Sequence, residues 1–309
     1  MTAPTPTRAR RAKRRLHDVP PAIAMLVPSL VLLGVWTIYP LVKAVQLGHL
    51  RCDSTGQRCR DAGWGQYSDA FLSHEFQQAL LVSVKLALMT VPAGLVLGVA
   101  LAVLADKHLR GIGIFRTIFS STVATSVAVA SLVWFVLLQP EIGVLSDLFS
   151  GWLPVLKSPG LLRDPSTALP AVALSSIWAG LGFTFIVITA GLQGVPKELY
   201  ESAYVDGAGS WRRFTNVTLP MLTPSLLFVT VVLTTRALQT YGEVALLTGG
   251  GPNPERSTTT IPYLIYGNDS IIRSDLGLKS AAAILLFLVC LVFAVVQFRG
   301  LERRVHYGT

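Results

Sequence analysis

The sequence predicts an all-α integral membrane protein with six transmembrane helices, and three observations carry that prediction. Only 14% of the 309 residues are charged and 51% are hydrophobic, with a mean hydropathy of +0.55, whereas ordinary soluble domains carry about 25% charge. Six runs nearly free of charge approach or exceed the roughly 20 apolar residues that a helix needs to cross about 30 Å of hydrocarbon. None of the six alternates as a barrel strand would, and unpaired backbone cannot face lipid, so helices remain as the spanning elements.

Ala22–Val42 is the first run. The tail before it, residues 1–20, contains "RARRAKRR", which suits a topology anchor beside a membrane better than a nucleic-acid patch. The run is too long for the apolar region of a signal peptide and no A-x-A site follows, so it is expected to stay as a span. After it comes a loop over about 51–76 with Trp64, Tyr67 and Phe71, aromatics of the kind that sit at membrane interfaces. Cys52 and Cys59 lie there in "RCDSTGQRCR". Two readings stand: a disulfide on an oxidising face, or two free thiols. Their spacing fits no zinc pattern and the five histidines are scattered, so no metal site is expected.

Span two covers Leu86–Ala105 with an N-terminal extension, and Lys85 at its outer end can snorkel to the interface. Its Gly94 and Gly98 form a small-x-x-x-small face that serves either a subunit contact or, more commonly, packing within the chain. The basic turn "DKHLRGIGIFR" leads to span three, Thr117–Gln139. Ile142, Leu145, Leu148, Phe149 and Trp152 then recur at helical spacing in the 141–167 loop and predict a helix lying on the membrane. Span four is Ala168–Leu192, span five runs from Met221 to Thr235 and past Arg236, and span six is Ser280–Phe298. Residues 21–300 therefore form one six-helix unit, and 301–309 a short tail. No internal repeat is visible.

Orientation follows from basic residues, which collect in short cytoplasmic loops. With the N-terminus inside, fifteen Lys and Arg fall on the cytoplasmic side against eight outside. Both termini are thus expected in the cytoplasm, along with the 193–220 loop. The net charge of +9 reflects this distribution rather than a nucleic-acid partner.

That 193–220 loop contains the most informative stretch, "ESAYVDGAGSWRRFTNVTLP" over 201–220, polar and glycine-broken between two spans. Gly191 and Gly194 end span four, and Pro196 suits the first turn of a new helix because its missing N–H is unpaired there anyway. The pattern predicts a helix over 196–205, a break at "DGAG", and a second helical piece through Phe214. A helix of about ten residues is marginal alone and must pack on something. Leu199 with Ala203, and Tyr200 with Tyr204, stand at i, i+4, while Ser202, Ala203, Gly207 and Ala208 permit close backbone approach. The shape is a knob made for a groove.

These residues closely resemble the EAA motif of permease subunits in binding-protein-dependent ABC importers. Glu201, Ser202 and Ala203, then Gly207, then Val217, Leu219 and Pro220 fall at the family spacing, with Ser202 where alanine is usual. The segment through "LRDPSTALPAVALSSIWAGLGFTFIVITAGLQGVPKELYESA" and "LLTGGGPNPERSTTT" are similar to the same family's carbohydrate-type branch, so about 20–305 are covered. "TTTIPYLIY" and "VVQFRGLERRVHYG" most resemble its glycerol-3-phosphate importers. The resemblance implies a type I importer transmembrane domain in the bacterial inner membrane. Its coupling helix, with Glu201, Ser202, Ala203, Asp206, Gly207, Ala208, Leu219 and Pro220, would dock on an ATPase. It also implies a heterodimer with a second permease, a dimer of ATPase subunits holding ATP and Mg, and an extracytoplasmic substrate-binding protein. The cargo would be a small polar solute of the glycerol-3-phosphate or glycerophosphodiester type, or alternatively trehalose or another oligosaccharide.

Absences agree with that division of labour. The chain has no G-x-x-x-x-G-K-[ST] phosphate loop; "TGGGPN" lacks the lysine and "GAGSWR" fails G-x-G-x-x-G, so no cofactor is expected on this chain. No HExxH or nucleophile elbow suggests an enzyme. A stand-alone secondary transporter would carry paired intramembrane acids, broken helices or an inverted repeat, none of which the sequence displays.

Span five holds the most expensive side chains. Counting 1.5 Å per residue from Pro220, Arg236 lies about 24 Å along the helix, in the outer half of the membrane. Charge at membrane depth is costly unless paired or wetted. Arg236, Gln239, Thr240 and Glu243 fall at i, i+3, i+4, i+7 and predict one polar stripe facing a cavity, with Arg236 attending an anionic group of the cargo. Pairing of Arg236 with Glu243 is the competing reading. Trp178 and Phe183 are further candidates for the pathway.

Overall fold

A computed structural model describes residues 19–53, 59–107, 111–145, 160–251, 256–267 and 275–301. Apolar composition and helical hydrogen bonding satisfy each other in the spans, since a helix pairs its own backbone groups where no water reaches. Four helical segments are long and apolar enough to cross a membrane, and two bent pairs bring the possible number to six.

The first span is α1 (Val19–Leu33), a π turn at Gly34–Ile38 and α2 (Tyr39–Gly48). Its upper part is unpacked, with Trp36 76% exposed, while α2 rests against the last span. A two-stranded hairpin follows, β1 (Leu50–Cys52) and β2 (Cys59–Asp61), with Cys52 opposite Cys59 and the two joined by a disulfide. Next come α3 (Gly65–Leu72) and the 32-residue α4 (His74–Ala105), the second span. Ser73 caps α4 by accepting the Phe76 N–H at 3.3 Å, satisfying one of the four unpaired donors of a helix start.

The expectation of one straight third span over Thr117–Gln139 is corrected. α5 (Ile112–Ser121) and a 3₁₀ turn at Thr122–Ala124 meet α6 (Val127–Leu137) at 106°. The cause is local: Ser121 and Thr122 donate back to Ile118 O and Phe119 O, both at 2.8 Å, and Thr125 and Ser126 turn extended. Of the predicted surface helix, Ile142 is exposed, and Leu148, Phe149 and Trp152 lie outside the described residues.

Span four is α7 (Ala168–Gln193). The loop after it gives α8 (Lys197–Val205), α9 (Ser210–Arg213), a π turn at Phe214–Thr218 and α10 (Leu219–Met221). α11 (Thr223–Leu238) continues span five after a 67° bend. Two helices that the sequence reading took as unbroken spans are thus sharply bent pairs. α12 (Gly242–Leu247), α13 (Ile261–Tyr266) and the sixth span α14 (Leu276–Leu301) complete the chain.

Spans two, four and five pack at the centre. Toward the 193–220 loop the core is Val91, Ala102, Phe185, Ile188, Leu222 and Val229; toward the hairpin end it is Val82, Leu86, Leu169, Val172, Val244 and Leu247. Gly98 lets α4 and α7 touch, because a Cβ there would collide with the Thr184 side chain, and Gly94 faces Leu233. The Gly94/Gly98 face thus packs within the chain. At the hairpin end Asp275 caps α14: its Oδ1 accepts from Gly277 N at 2.9 Å and Leu278 N at 3.1 Å. The same oxygen accepts from Cys52 N at 3.2 Å, and Arg51 Nε stands 3.7 Å from Asp275 Oδ2, tying the hairpin to the last span.

Candidate functional site

Two places combine polar chemistry with a position that could serve transport: the knob between spans four and five, and a cavity among spans two, four and five. The knob is built by local rules. Pro196 lies just before α8 as its N-cap residue rather than inside it, so the helix starts at Lys197. At the other end Gly207 takes φ +71°, Gly207 N–H donates to Tyr204 O at 3.0 Å, and Ala208 N–H donates to Ala203 O at 2.9 Å. That pair of bonds is a Schellman motif, which uses the helix's last carbonyls and favours glycine at its left-handed residue.

Two contacts fix α8 on the chain that follows it: the Tyr200 hydroxyl and Thr218 Oγ1 share a 3.0 Å hydrogen bond, and the Arg213 guanidinium lies 5.7 Å from the Tyr204 ring. Within that following chain Trp211 packs, tilted, on Phe214 at 5.7 Å. The predicted aromatic face is consequently split. Tyr200 is used inside the knob, while Tyr204 (71% exposed), Val205 (85%) and Trp211 (76%) project from it. Glu201, Ser202, Asp206 and Gly207 are exposed beside them, Ala203, Ala208 and Pro220 are half-buried, and Leu219 is exposed. An isolated apolar tip of this kind, carried on a short braced helix, suits a partner surface.

The cavity measures about 310 Å³. Arg236, Gln239, Thr240 and Glu243 all line it, together with Thr90 and Gly94 from α4 and Ser176 and Gly180 from α7. The predicted single helical stripe is nevertheless corrected: α11 ends at Leu238, Gln239 to Tyr241 leave the helix, and Glu243 sits in the first turn of α12. The break is held from outside, because Thr260 Oγ1 donates to Thr240 O at 2.7 Å, while Thr240 Oγ1 donates back to Arg236 O at 3.0 Å. Arg236 and Glu243 do not form an ion pair.

Arg236 shares the cavity with Thr90 and Gly94 from the middle of α4 and with Gly180 from the middle of α7, and neighbouring Gln239 Nε2 reaches Cys290 Sγ of α14 at 3.9 Å. Trp178 does not line the cavity; its ring packs edge-on against Trp134 at 6.4 Å. Phe183 packs on Phe228 at 6.2 Å and is likewise absent from the lining.

Sequence reasoning missed Thr90 and Ser176, since single hydroxyls in apolar spans give no pattern. It also missed how the 256–267 segment braces the cavity. Thr258, Thr259 and Thr260 are all buried; Thr248 and Thr258 hydroxyls meet at 2.7 Å, and Thr259 Oγ1 donates to Gly250 O at 2.7 Å. Ser83 of α4 accepts the Ile261 N–H at 3.1 Å. Gly251, at φ +107°, has no room for a side chain against the Thr258 backbone. A larger groove of about 840 Å³ runs between α4 and Trp211, but its walls are mostly apolar and offer little to a polar solute. Among the described residues no His, Cys, Asp and Glu cluster could hold a metal ion.

Residues 91–307 match the family described as "Binding-protein-dependent transport system inner membrane component". The chain is 31% identical over 289 residues to the sn-glycerol-3-phosphate transport system permease protein UgpA of Agrobacterium fabrum, covering 92% of this chain and 95% of that one. It is 32% identical over 281 residues to the sulfoquinovosyl glycerol transport system permease protein SmoG of the same organism, covering 90% and 89%. A crystal structure of a bacterial ABC transporter involved in import of the acidic polysaccharide alginate contains a similar fold. Its TM-score is 0.77 at 23% identity, over 95% of this chain and 99% of that one.

Proposed function

This chain belongs to the family of binding-protein-dependent transport system inner membrane components, and from that premise we propose that its cargo is a small anionic polyol of the glycerol-3-phosphate or glycerophosphodiester type. It is a permease subunit of an ABC importer, a non-catalytic component of the inner membrane that acts with an ATPase and a substrate-binding protein. In our reading both termini and the 193–220 loop face the cytoplasm. The pore is a heterodimer with a second permease, ATP and Mg belong to a pair of ATPase subunits, and α8 is the coupling helix that docks on one of them. Glu201, Ser202, Asp206 and Gly207 would face the ATPase around the Tyr204, Val205 and Trp211 tip.

One observation carries the cargo reading: Arg236 lines a cavity of about 310 Å³, walled by spans two, four and five, that also contains Gln239, Thr240, Glu243 and Ser176. A guanidinium presents a planar donor fork that matches phosphate, and at membrane depth such a charge is retained for function by default. The two relatives described above agree in one respect, that both are named for transport of a glycerol-containing solute.

The test is uptake by the complete transporter, reconstituted in vesicles with its binding protein and ATP. Labelled glycerol 3-phosphate should accumulate and be displaced by unlabelled glycerophosphodiester. Accumulation of trehalose with no uptake of glycerol 3-phosphate would move the chain to the sugar-carrying alternative, and uptake by this chain alone would contradict the importer mechanism.

A further inference from the structure

α4 is longer than a bilayer is thick, and the face it turns away from the cavity is exposed. Its 32 residues rise about 48 Å, against about 30 Å of hydrocarbon. Leu81 (60% exposed), Leu88 (69%) and Val96 (68%) recur on that face at intervals of two turns. A lysine marks each limit of the apolar part: Lys85, one turn from both Leu81 and Leu88, and Lys107, just past the helix end at Ala105. The twenty residues Leu86–Ala105 that follow Lys85 are uncharged and rise about 30 Å, one hydrocarbon thickness. Both lysines thus stand at the borders of the membrane core, and the face between them is apolar.

Two grooves open on this face. One is the apolar groove described above, lined on α4 by Val96, Val99 and Val103 and ending at Lys107. The other, of about 730 Å³, runs between α4 and the start of α7, and its polarity changes along its length. Gln78 and Ser166 line it at the hairpin end, Leu88 and Met89 line it toward the middle of α4, and Lys85 stands between the two pairs. Lys85 is exposed, is the only charged residue in the lining, and has no ion pair among the described residues. Asp164, in the adjoining loop, accepts from the Ser166 N–H and hydroxyl instead. A charge at the edge of the hydrocarbon is costly unless paired or wetted, and the lysine's aliphatic stem lets its ammonium reach the headgroup layer. Lipid phosphates already stand at that level, whereas a neighbouring helix would have to bring a carboxylate to the same depth. We propose that this groove binds an anionic phospholipid, with its phosphate at Lys85 Nζ and an acyl chain laid along Leu88 and Met89. A headgroup without an ammonium of its own, as in phosphatidylglycerol, leaves Lys85 as the counter-ion, while phosphatidylcholine brings its own cation and gains less.

The test uses the complete transporter in vesicles of one composition, doped with phosphatidylglycerol or phosphatidylcholine that carries a photoreactive diazirine in its acyl chain. After illumination the labelled peptides are mapped by mass spectrometry. In the wild type, phosphatidylglycerol should label α4 between Lys85 and Val96 roughly fivefold more than phosphatidylcholine does, the effect of one basic side chain on an anionic lipid. Lys85→Ala should bring the two lipids level, and Lys85→Arg, which keeps the charge, should preserve the preference, with equal amounts of assembled complex in all three. Equal labelling by the two lipids in the wild type, or a preference that survives Lys85→Ala, would overturn the proposal. So would the absence of α4 label from either lipid, which would mean that a protein neighbour such as the second permease covers this face.

Discussion

Arg236 and Glu243 line one cavity from opposite sides of a helix break and do not pair with each other. A guanidinium and a carboxylate that share a small space without bonding can each engage a solute. Arg236→Ala should therefore reduce cargo uptake at least tenfold while the complex still assembles, since loss of a charge-assisted hydrogen bond costs roughly 1.5–3 kcal/mol. Arg236→Lys, a point charge without the planar fork, should fall between the two. Uptake kinetics with quantified complex in the same vesicles check both.

The Schellman turn after α8 makes a second claim testable. Gly207 is at φ +71° with open space around it, so a side chain there meets backbone strain and no steric clash. Gly207→Val should cost roughly 1–2 kcal/mol in the local turn. The chain should still insert and pair with its partners. Cargo-stimulated ATP hydrolysis should drop relative to wild type, measured by phosphate release from the reconstituted complex.

Gly98 and Thr184 provide a packing test. Gly98→Ala puts a methyl group into the Thr184 side chain and should destabilise the α4–α7 contact by about 1–3 kcal/mol. Thr184→Gly should relieve most of that cost in the double variant. Thermal melting of the detergent-solubilised complex reads the coupling, and strictly additive losses would show that the two helices do not meet there.

The hairpin disulfide has a direct chemical readout. Cys52 and Cys59 are bonded and Cys290 is free. Alkylation of the denatured chain should label one thiol without reductant and three after reduction, counted by intact mass.

How far these features were legible in the sequence depends on the physical signal behind each. Span existence was clear because apolar length is a local property, and the α8 knob was clear because Pro196, Gly207 and Gly209 punctuate it. The bends in spans three and five were not, since hydropathy is blind to hydroxyls that donate back to backbone carbonyls, Ser121 and Thr122 at the one bend and Thr223 to Pro220 O at the other. Cavity residues were half legible. Period 3.6 put Arg236, Gln239, Thr240 and Glu243 together, as the shared cavity does, but assumed one straight helix where α11 ends at Leu238. The bond from Thr260 to Thr240 that enforces the break spans 20 residues, a tertiary fact that no window shows.

The central claim is that an ATPase drives this chain through the tip of α8. Val205, 85% exposed at that tip, can be changed to cysteine in a Cys290→Ser background and crosslinked in native membranes with a short bifunctional reagent. The account predicts a crosslinked product with the ATPase subunit whose yield changes on adding ATP. An assembled, transporting complex in which Val205→Cys reaches no ATPase in any nucleotide state would contradict it.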